Sequence, residues 1–463
     1  MSKETDTGGP RAAALYESAK KIYPREIKGR FASLSKLATN VLLGLFYVVP
    51  WLMWDDRQAF LFDLPARKFY LLGLTLWPQD FIYLALLLMI AALSLFFFTA
   101  LAGRLWCGFA CPQTVWTEAF IWMEQITEGT RSQRMKLDKA PWSWNKLRRK
   151  GAKQFLWITF SLWTGFTFVG YFMPIRQLGL DIVALNVGGW TLFWGMFYGF
   201  ATYGNAGYMR EQVCKYMCPY ARFQSAMFDK DTLIISYDEE RGEPRGGRKR
   251  SVNRKKEGLG DCIDCQLCVQ VCPTGIDIRE GLQYECIACA ACIDACDSIM
   301  DKMEYPRGLV RYTTEHALKG KTAHVLRPRM FVYGTAILLL AGALVASMVT
   351  RTPVILDVIR DRNTLYRELP GDIIENSYTI KVINQRNEAR DFRLSVDGVA
   401  GLSLDGVDDV ITVVGGDVLS LPVRARTQRD NAYGIMNITF AVTAVDDESV
   451  VMIEDSRFLG PTP

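Results

Sequence analysis

Hydrophobic and polar positions are arranged differently in successive parts of the chain. Five unbroken apolar runs come first, at 37–54 (LATNVLLGLFYVVPWLMW), 81–102, 154–173 (QFLWITFSLWTGFTFVGYFM), about 183–203 and 330–349 (MFVYGTAILLLAGALVASMV). Each has about 18–22 residues, close to the roughly 20 that cross a hydrocarbon core as a helix. Five transmembrane helices are therefore predicted. After residue 350 the period changes to two. SYTIKVIN (377–384), DFRLSVD (391–397), DVITVV (409–414), VLSLPVRA (418–425) and GIMNITFAVTAV (434–445) alternate, with turns such as GG and DD between. Short alternating strands at this spacing predict a β-sandwich of about 90 residues.

Charge orients the spans. Segment 103–153 carries Arg104, Arg131, Arg134, Lys136, Lys139, Lys146, Arg148, Arg149, Lys150 and Lys153, whereas 174–182 has only Arg176. In 55–80, Arg57, Arg67 and Lys68 are balanced by Asp55, Asp56 and Asp63. Lys and Arg collect on the cytoplasmic side. The N-terminus and the loops after the second and fourth spans are thus expected inside, and everything after about 350 outside. The polar start of the chain lacks the short apolar stretch and small-residue site of a cleaved signal. The basic run RGEPRGGRKRSVNRKK (241–256) is explained by this bias and by contact with anionic lipid, without nucleic acid.

The expected fold is a multi-domain membrane protein. A five-helix transmembrane domain carries an inserted cytoplasmic two-cluster ferredoxin domain and a C-terminal all-β, immunoglobulin-like sandwich. The expected boundaries are a cytoplasmic tail over 1–36, helices one to four over 37–206 and a cytoplasmic region over 207–328, with the ferredoxin part at about 257–305. The fifth helix follows over 329–350 and the outer domain over 351–463.

Composition narrows the chemistry. Only two histidines occur, His316 and His324, in one polar segment. No span can offer a facing histidine pair to haem, and two histidines argue against a His-rich copper or zinc site. All twelve cysteines lie between 107 and 296, eight of them within 262–296. That clustering reads as metal ligation in a reducing compartment, and a secreted disulfide framework would spread its cysteines more widely.

The eight form DCIDCQLCVQVCP (261–273) and ECIACAACIDACD (285–297), each C-x-x-C-x-x-C-x-x-x-C. Three closely spaced thiolates wrap one cubane, and the fourth reaches the other cluster of a two-cluster ferredoxin. Cys262, Cys265, Cys268 and Cys296 are therefore expected to hold one 4Fe–4S cluster, and Cys286, Cys289, Cys292 and Cys272 the second. Ala288, Ala290 and Ala291 leave room beside the sulfides. Pro273 follows the first run, but Asp297 stands where the second run would carry proline.

The other four cysteines form CGFACP (107–112) and CKYMCP (214–219), each after an apolar run. Aligning Cys107 with Cys214 also aligns Cys111 with Cys218, Pro112 with Pro219, Trp116 with Phe223 and Phe120 with Met227. A parallel repeat of this kind implies a pseudo-twofold axis along the membrane normal, with the two pairs facing each other. Four-residue spacing puts both thiols of a pair on one face of a helical turn. The proline suits the first residue of a new helix, and Trp116, Phe120 and Met123 read as a stripe lying in the membrane interface. Four soft thiolates suit Cu(I) or a further Fe–S cluster, or each pair could cycle between dithiol and disulfide.

With these motifs in place, the chain resembles the CcoG family of cytochrome c oxidase accessory proteins, also called FixG or RdxA. The paired C-x-x-x-C-P plus ferredoxin pattern is shared with NapH-like quinol dehydrogenases, and the RDRN and ENSYTIKVIN stretches of the tail favour CcoG. The resemblance implies reduction of Cu(II) to Cu(I) for assembly of cbb-type oxidases in the bacterial inner membrane. It also implies that all twelve cysteines carry clusters, copper or redox steps. Expected partners are membrane lipid, oxidase subunits or copper-assembly proteins, a cytoplasmic or quinol electron donor, and a second copy in a homodimer. Two other readings stand beside this one. The first is a quinol-oxidising carrier, with Trp190, Trp194 and Tyr198 lining a quinone pocket between spans. The second is a non-catalytic scaffold or copper chaperone.

Overall fold

In the computed structural model, residues 21–251, 257–362, 364–386 and 388–462 are described. They fall into two compact units, one of residues 1–53 with 88–339 and the other of 54–87 with 340–463. The helices along the chain are α1 (Arg30–Val48), α2 (Phe81–Ala102), α3 (Leu105–Phe109), α4 (Pro112–Glu128), α5 (Arg131–Lys139), α6 (Trp144–Val169), α7 (Ile175–Val183), α8 (Gly189–Thr202) and α9 (Pro219–Met227). They continue as α10 (Glu239–Gly242), α11 (Leu267–Val271), α12 (Ala291–Met303), α13 (Glu315–Leu318) and α14 (Pro328–Val349).

Among the described residues, three stretches are long and apolar enough to cross a bilayer, namely Arg30–Trp51, Phe81–Ala102 and Pro328–Val349. They correspond to the first, second and fifth predicted spans, although the first begins at Arg30 rather than 37. Residues 154–169 of the third predicted span lie in α6, whose first turns carry Lys146, Arg148, Arg149, Lys150 and Lys153, and 170–173 form a turn beyond its end. The fourth is divided. The region 183–203 holds the end of α7, a break at 184–188 and the 14 residues of α8, which run on as a π-helical stretch, Tyr203–Met209. Gly165 of α6 lets α8 come close, because a Cβ there would lie 2.1 Å from the Gly195 carbonyl oxygen. Trp190 and Trp194 are exposed on α8, and Tyr198 stacks on Phe168 at 3.6 Å.

In the first unit, α4 packs along α6 and α1 along α4 and α12. The apolar stripe expected in the membrane interface is covered by protein. Phe120 is fully buried, its ring 5.3 Å from that of Trp157, whose indole N–H donates to the Phe120 carbonyl at 3.1 Å. The ferredoxin part is built on the packed pair α11 and α12, with strand Ile234–Tyr237 antiparallel to Val310–Thr313. It is pinned to α1 by Asp294, whose carboxylate accepts the Phe31 and Ala32 amides at 3.3 and 2.7 Å. A carboxylate at a helix start satisfies amides that have no intrahelical partner.

In the second unit, one sheet has the order Ser403–Asp405, Val418–Gln428, Ile373–Asn384, Val354–Arg360, with Arg367–Leu369 also pairing with Ile373–Asn384. The other runs Ile411–Val413, Arg390–Asp397, Ile435–Ala444, Val451–Leu459. All five predicted strands are present. Inward residues alternate, and Tyr378, Ile380, Val382, Phe392, Phe440, Val442 and Phe458 form the core. A three-stranded sheet, Phe60–Asp63, Lys68–Leu71 and Leu74–Leu76, belongs to the same unit and was not evident from the sequence. Lys68 Nζ donates to the Gly416 carbonyl at 2.7 Å, and Arg351 pairs with Asp80 at 2.5 Å.

Candidate redox site

Both ferredoxin loops share an unusual backbone. In the first, Asp264 and Gln266 flank Cys265 with φ of 51° and 55°; in the second, Ala288 and Ala290 flank Cys289 with 54° and 60°. Each such left-handed L-residue costs about 1–2 kcal/mol and persists only where its surroundings enforce it. The turns deliver Cys268 and Cys292 to the second position of α11 and α12. Cys262, Cys265, Cys268 and Cys296 line one cavity. Cys272, Cys286, Cys289 and Cys292, joined by Cys268, line another.

Burial pushes the Cys268 and Cys286 thiols up to about 11 and Cys296 to about 12. It pushes Cys289 and Cys292 higher still, with Cys272 and Cys286 reinforcing the effect. Buried, mutually repelling thiols in strained loops fit ligands whose protons a metal displaces. Two sulfur-lined cavities therefore suit two cubane clusters.

Asp297 has a structural reason. Proline can follow Cys272 because α11 has ended at Val271, whereas α12 continues through 297 to Met303. A ring there would remove a helical N–H and clash with the preceding turn. The Asp297 carboxylate instead accepts the Gly308 amide at 2.9 Å. The basic run also has a place. Arg248 donates to the Cys262 carbonyl at 3.3 Å and to the Tyr305 hydroxyl at 3.2 Å, and Arg241 to Asp261 at 2.6 Å. These arginines brace the first loop, while residues 252–256 of the run lie outside those described. His316 holds Asp231 at 2.8 Å, away from any cysteine.

The four remaining thiols lie in one neighbourhood. Cys107 lies within electrostatic reach of Cys111 and Cys214, Cys111 of Cys218, and Cys214 of Cys111 and Cys218. Burial raises Cys107 to about 12 and Cys214 to about 11, while the Arg104 guanidinium opposes both shifts. None of the twelve cysteines is in a disulfide. The expectation of two thiols on one helical face needs correction, however. Cys107 sits in α3, but Cys111 is extended (φ −62°, ψ 130°) and caps α4. Cys214 sits in a π-helical stretch, Val213–Met217, and Cys218 is the extended cap of α9. Pro112 and Pro219 are the first residues of α4 and α9, as predicted. The repeat weakens beyond them. Trp116 is half-buried while the aligned Phe223 is 65% exposed, and α4 has 17 residues against nine in α9.

Several residues not singled out by the sequence join this quartet to the second cluster loop. A Cβ on Gly108, between Cys107 and Cys111, would lie 2.8 Å from the Ile287 carbonyl oxygen and 2.9 Å from the Ala288 carbonyl carbon. The two backbones touch between Cys286 and Cys289. Buried Arg104 donates to the carbonyls of Tyr284 and Ala221 and, at 3.4 Å, of Cys286. Cys107 Sγ donates to Gln224 Oε1 at 3.2 Å. Arg210, at φ 41° and ψ −112° between the two π-helical stretches, is held by buried Glu124 at 2.8 Å. Gln113 donates to the Arg210 carbonyl at 3.1 Å, which fixes the turn leading to Cys214. The glycine inside CGFAC and the arginine before it were visible signals, and the Glu124 contact, 86 residues away in sequence, was not.

Fold and site together define a two-cluster iron–sulfur electron-transfer protein with apolar helices and an immunoglobulin-like C-terminal domain. Comparison with known proteins agrees. Residues 209–315 match a family described as "4Fe-4S dicluster domain", residues 84–127 a "4Fe-4S binding domain", and residues 344–461 the "IG-like fold at C-terminal of FixG, putative oxidoreductase". The chain belongs to the FixG/RdxA family. It is 37% identical over 441 residues to the nitrogen fixation protein FixG of Rhizobium meliloti, covering 87% of this chain and 84% of that protein. Against proteins RdxB and RdxA of Cereibacter sphaeroides it is 41% and 39% identical, covering 87% and 96% of this chain and 87% and 94% of theirs. A crystal structure of a FixG-related protein from Vibrio parahaemolyticus is 33% identical over 24% of this chain and 98% of that one, with a TM-score of 0.22.

Proposed function

We propose that the protein is a membrane-bound cupric reductase, converting Cu(II) to Cu(I) at the Cys107, Cys111, Cys214 and Cys218 thiols. Copper is its substrate, and the Cu(I) formed serves assembly of cbb-type oxidases through copper-assembly proteins or the oxidase subunits themselves. The observation that carries this reading is the contact of Gly108, inside the thiol quartet, with the backbone between Cys286 and Cys289. Clusters held by the eight ferredoxin cysteines supply single electrons, matching the one-electron change of copper. Soft thiols favour the reduced ion and draw the couple toward Cu(I). Arg104 places a fixed positive charge between quartet and cluster loop, which eases arrival of an electron there.

The arrangement in the membrane is part of the proposal. Five crossings of the bacterial inner membrane put α3, α4 and α9 at its cytoplasmic surface, the ferredoxin part in the cytoplasm and the sandwich outside. The grouping of 54–87 with 340–463 supports this, since both would lie beyond the same face. The test is Cu(II) reduction by purified protein, followed with a Cu(I) indicator. Cys214→Ser with Cys218→Ser is expected to lower the rate at least about tenfold at unchanged iron content. Equal rates remove the quartet from the reaction, and oxidase assembly supported by protein whose clusters dithionite cannot reduce favours a scaffold.

A further inference from the structure

An open cavity of about 510 Å³ separates α1 and α4 from the ferredoxin loops. Cys289 of the second cluster loop and Cys214 of the thiol quartet both line it. One part of its wall is apolar, from Leu43, Trp122 and Phe160 on helices with exposed apolar faces. Another carries Glu118, whose Oε2 accepts from the Ser35 and Thr39 hydroxyls at 2.8 and 2.9 Å. Among the described residues nothing hydrogen-bonds Glu118 Oε1. Large, mostly apolar spaces with a few convergent polar groups are where small ligands bind.

We infer that this cavity binds a lipid-soluble hydroquinone, the electron donor of the copper reaction, with Glu118 receiving its protons; this rests on the proposed function above. The ligand class follows from what the walls can do. A cluster ligand in the wall demands a donor that releases electrons singly, which a hydroquinone does and a bare hydride donor does not. An apolar wall on α1 and α4 admits a molecule dissolved in the bilayer. Each hydroquinone gives two electrons and two protons. The electrons leave one at a time toward the loop of Cys289 and then to two Cu(II) ions. The protons pass in turn to Glu118 and out to water past Lys36 and Glu26, which also line the cavity. The balance is one hydroquinone and two Cu(II) giving one quinone, two Cu(I) and two protons.

The test uses full-length protein in lipid nanodiscs. An azido-benzoquinone is photo-crosslinked and the label mapped by mass spectrometry, and anaerobic cluster reduction by a decyl-benzohydroquinone is followed by EPR. Label is expected on α1 or α4. Thr39→Trp should remove it, and Glu118→Gln should keep it while slowing cluster reduction by about 10²-fold, the contribution of a positioned proton acceptor. Iron content and dithionite-reduced EPR spectra confirm that each variant is folded. Trp190→Ala, on the exposed face of α8, should change neither reading. Label absent or confined to α8, or full reduction by Glu118→Gln, overturns the site. If dithionite-reduced protein makes Cu(I) but hydroquinone neither labels nor reduces it, the site is wrong and the function stands. If label and reduction occur at the cavity but dithionite-reduced protein makes no Cu(I), the site stands and the function is wrong.

Discussion

At Gly108 a single hydrogen in place of a methyl lets two backbones meet, since a Cβ would come within 2.9 Å of both Ile287 and Ala288. Gly108→Ala should force the loops apart at about 1–3 kcal/mol. It should slow single-turnover Cu(II) reduction by roughly 10²-fold, as a displacement of about 1 Å can do. Cluster EPR at native intensity with normal copper kinetics would contradict the junction. The raised thiols give a pH dependence. Cys107 and Cys214 lose their protons only above about pH 11, so at neutral pH a soft metal must displace them. Apparent Cu(I) affinity should therefore rise with pH, gaining about tenfold per pH unit for each thiol so deprotonated. Competition titrations between pH 6 and 8 check this, and a flat profile counts against the quartet as ligand. The cysteine pattern was legible because ligand spacing is local. Asp297 looked like a departure because the extent of α12 is set by packing, and not by the motif.

At the level of elements, turns and caps did what their residues predict, while helix continuity did not follow from the apolar pattern. Pro112 and Pro219 open α4 and α9, but the π-helical stretches before Cys218 rest on Arg210 and its distant partner Glu124. Likewise the stripe of α4 was read as facing lipid, because periodicity shows that a face is apolar and not what covers it; α6 covers it here. Asp294 links α12 to the start of α1. Asp294→Ala should cost about 1 kcal/mol, typical of a lost helix cap. Amide exchange over residues 29–35 should accelerate, with Asp294→Asn partly restoring protection; unchanged exchange would show that the cap holds nothing. Asp297→Pro should be worse, at about 3 kcal/mol, and should lower bound iron. Asp297→Asn should raise the potential of the cluster nearer Cys296 by removing a negative neighbour.

For the whole molecule, five alternating strands announced a sandwich, and the second unit contains it. The sheet within residues 60–76 stayed hidden because its short strands carry little alternation. In right-side-out spheroplasts, added protease should remove the tail beyond residue 351 and spare the ferredoxin part. The opposite pattern would invert the proposed orientation. The central claim concerns electrons passing from the cluster loops to copper at the thiols. It is tested most directly by mixing protein reduced by dithionite, then freed of reductant, with Cu(II) while following cluster absorbance and Cu(I) together. The account predicts one Cu(I) for each electron lost by the clusters, and loss of that coupling when Cys107, Cys111, Cys214 and Cys218 are serine. Clusters that stay reduced in the presence of Cu(II), or Cu(I) formed equally fast without the four thiols, would contradict it.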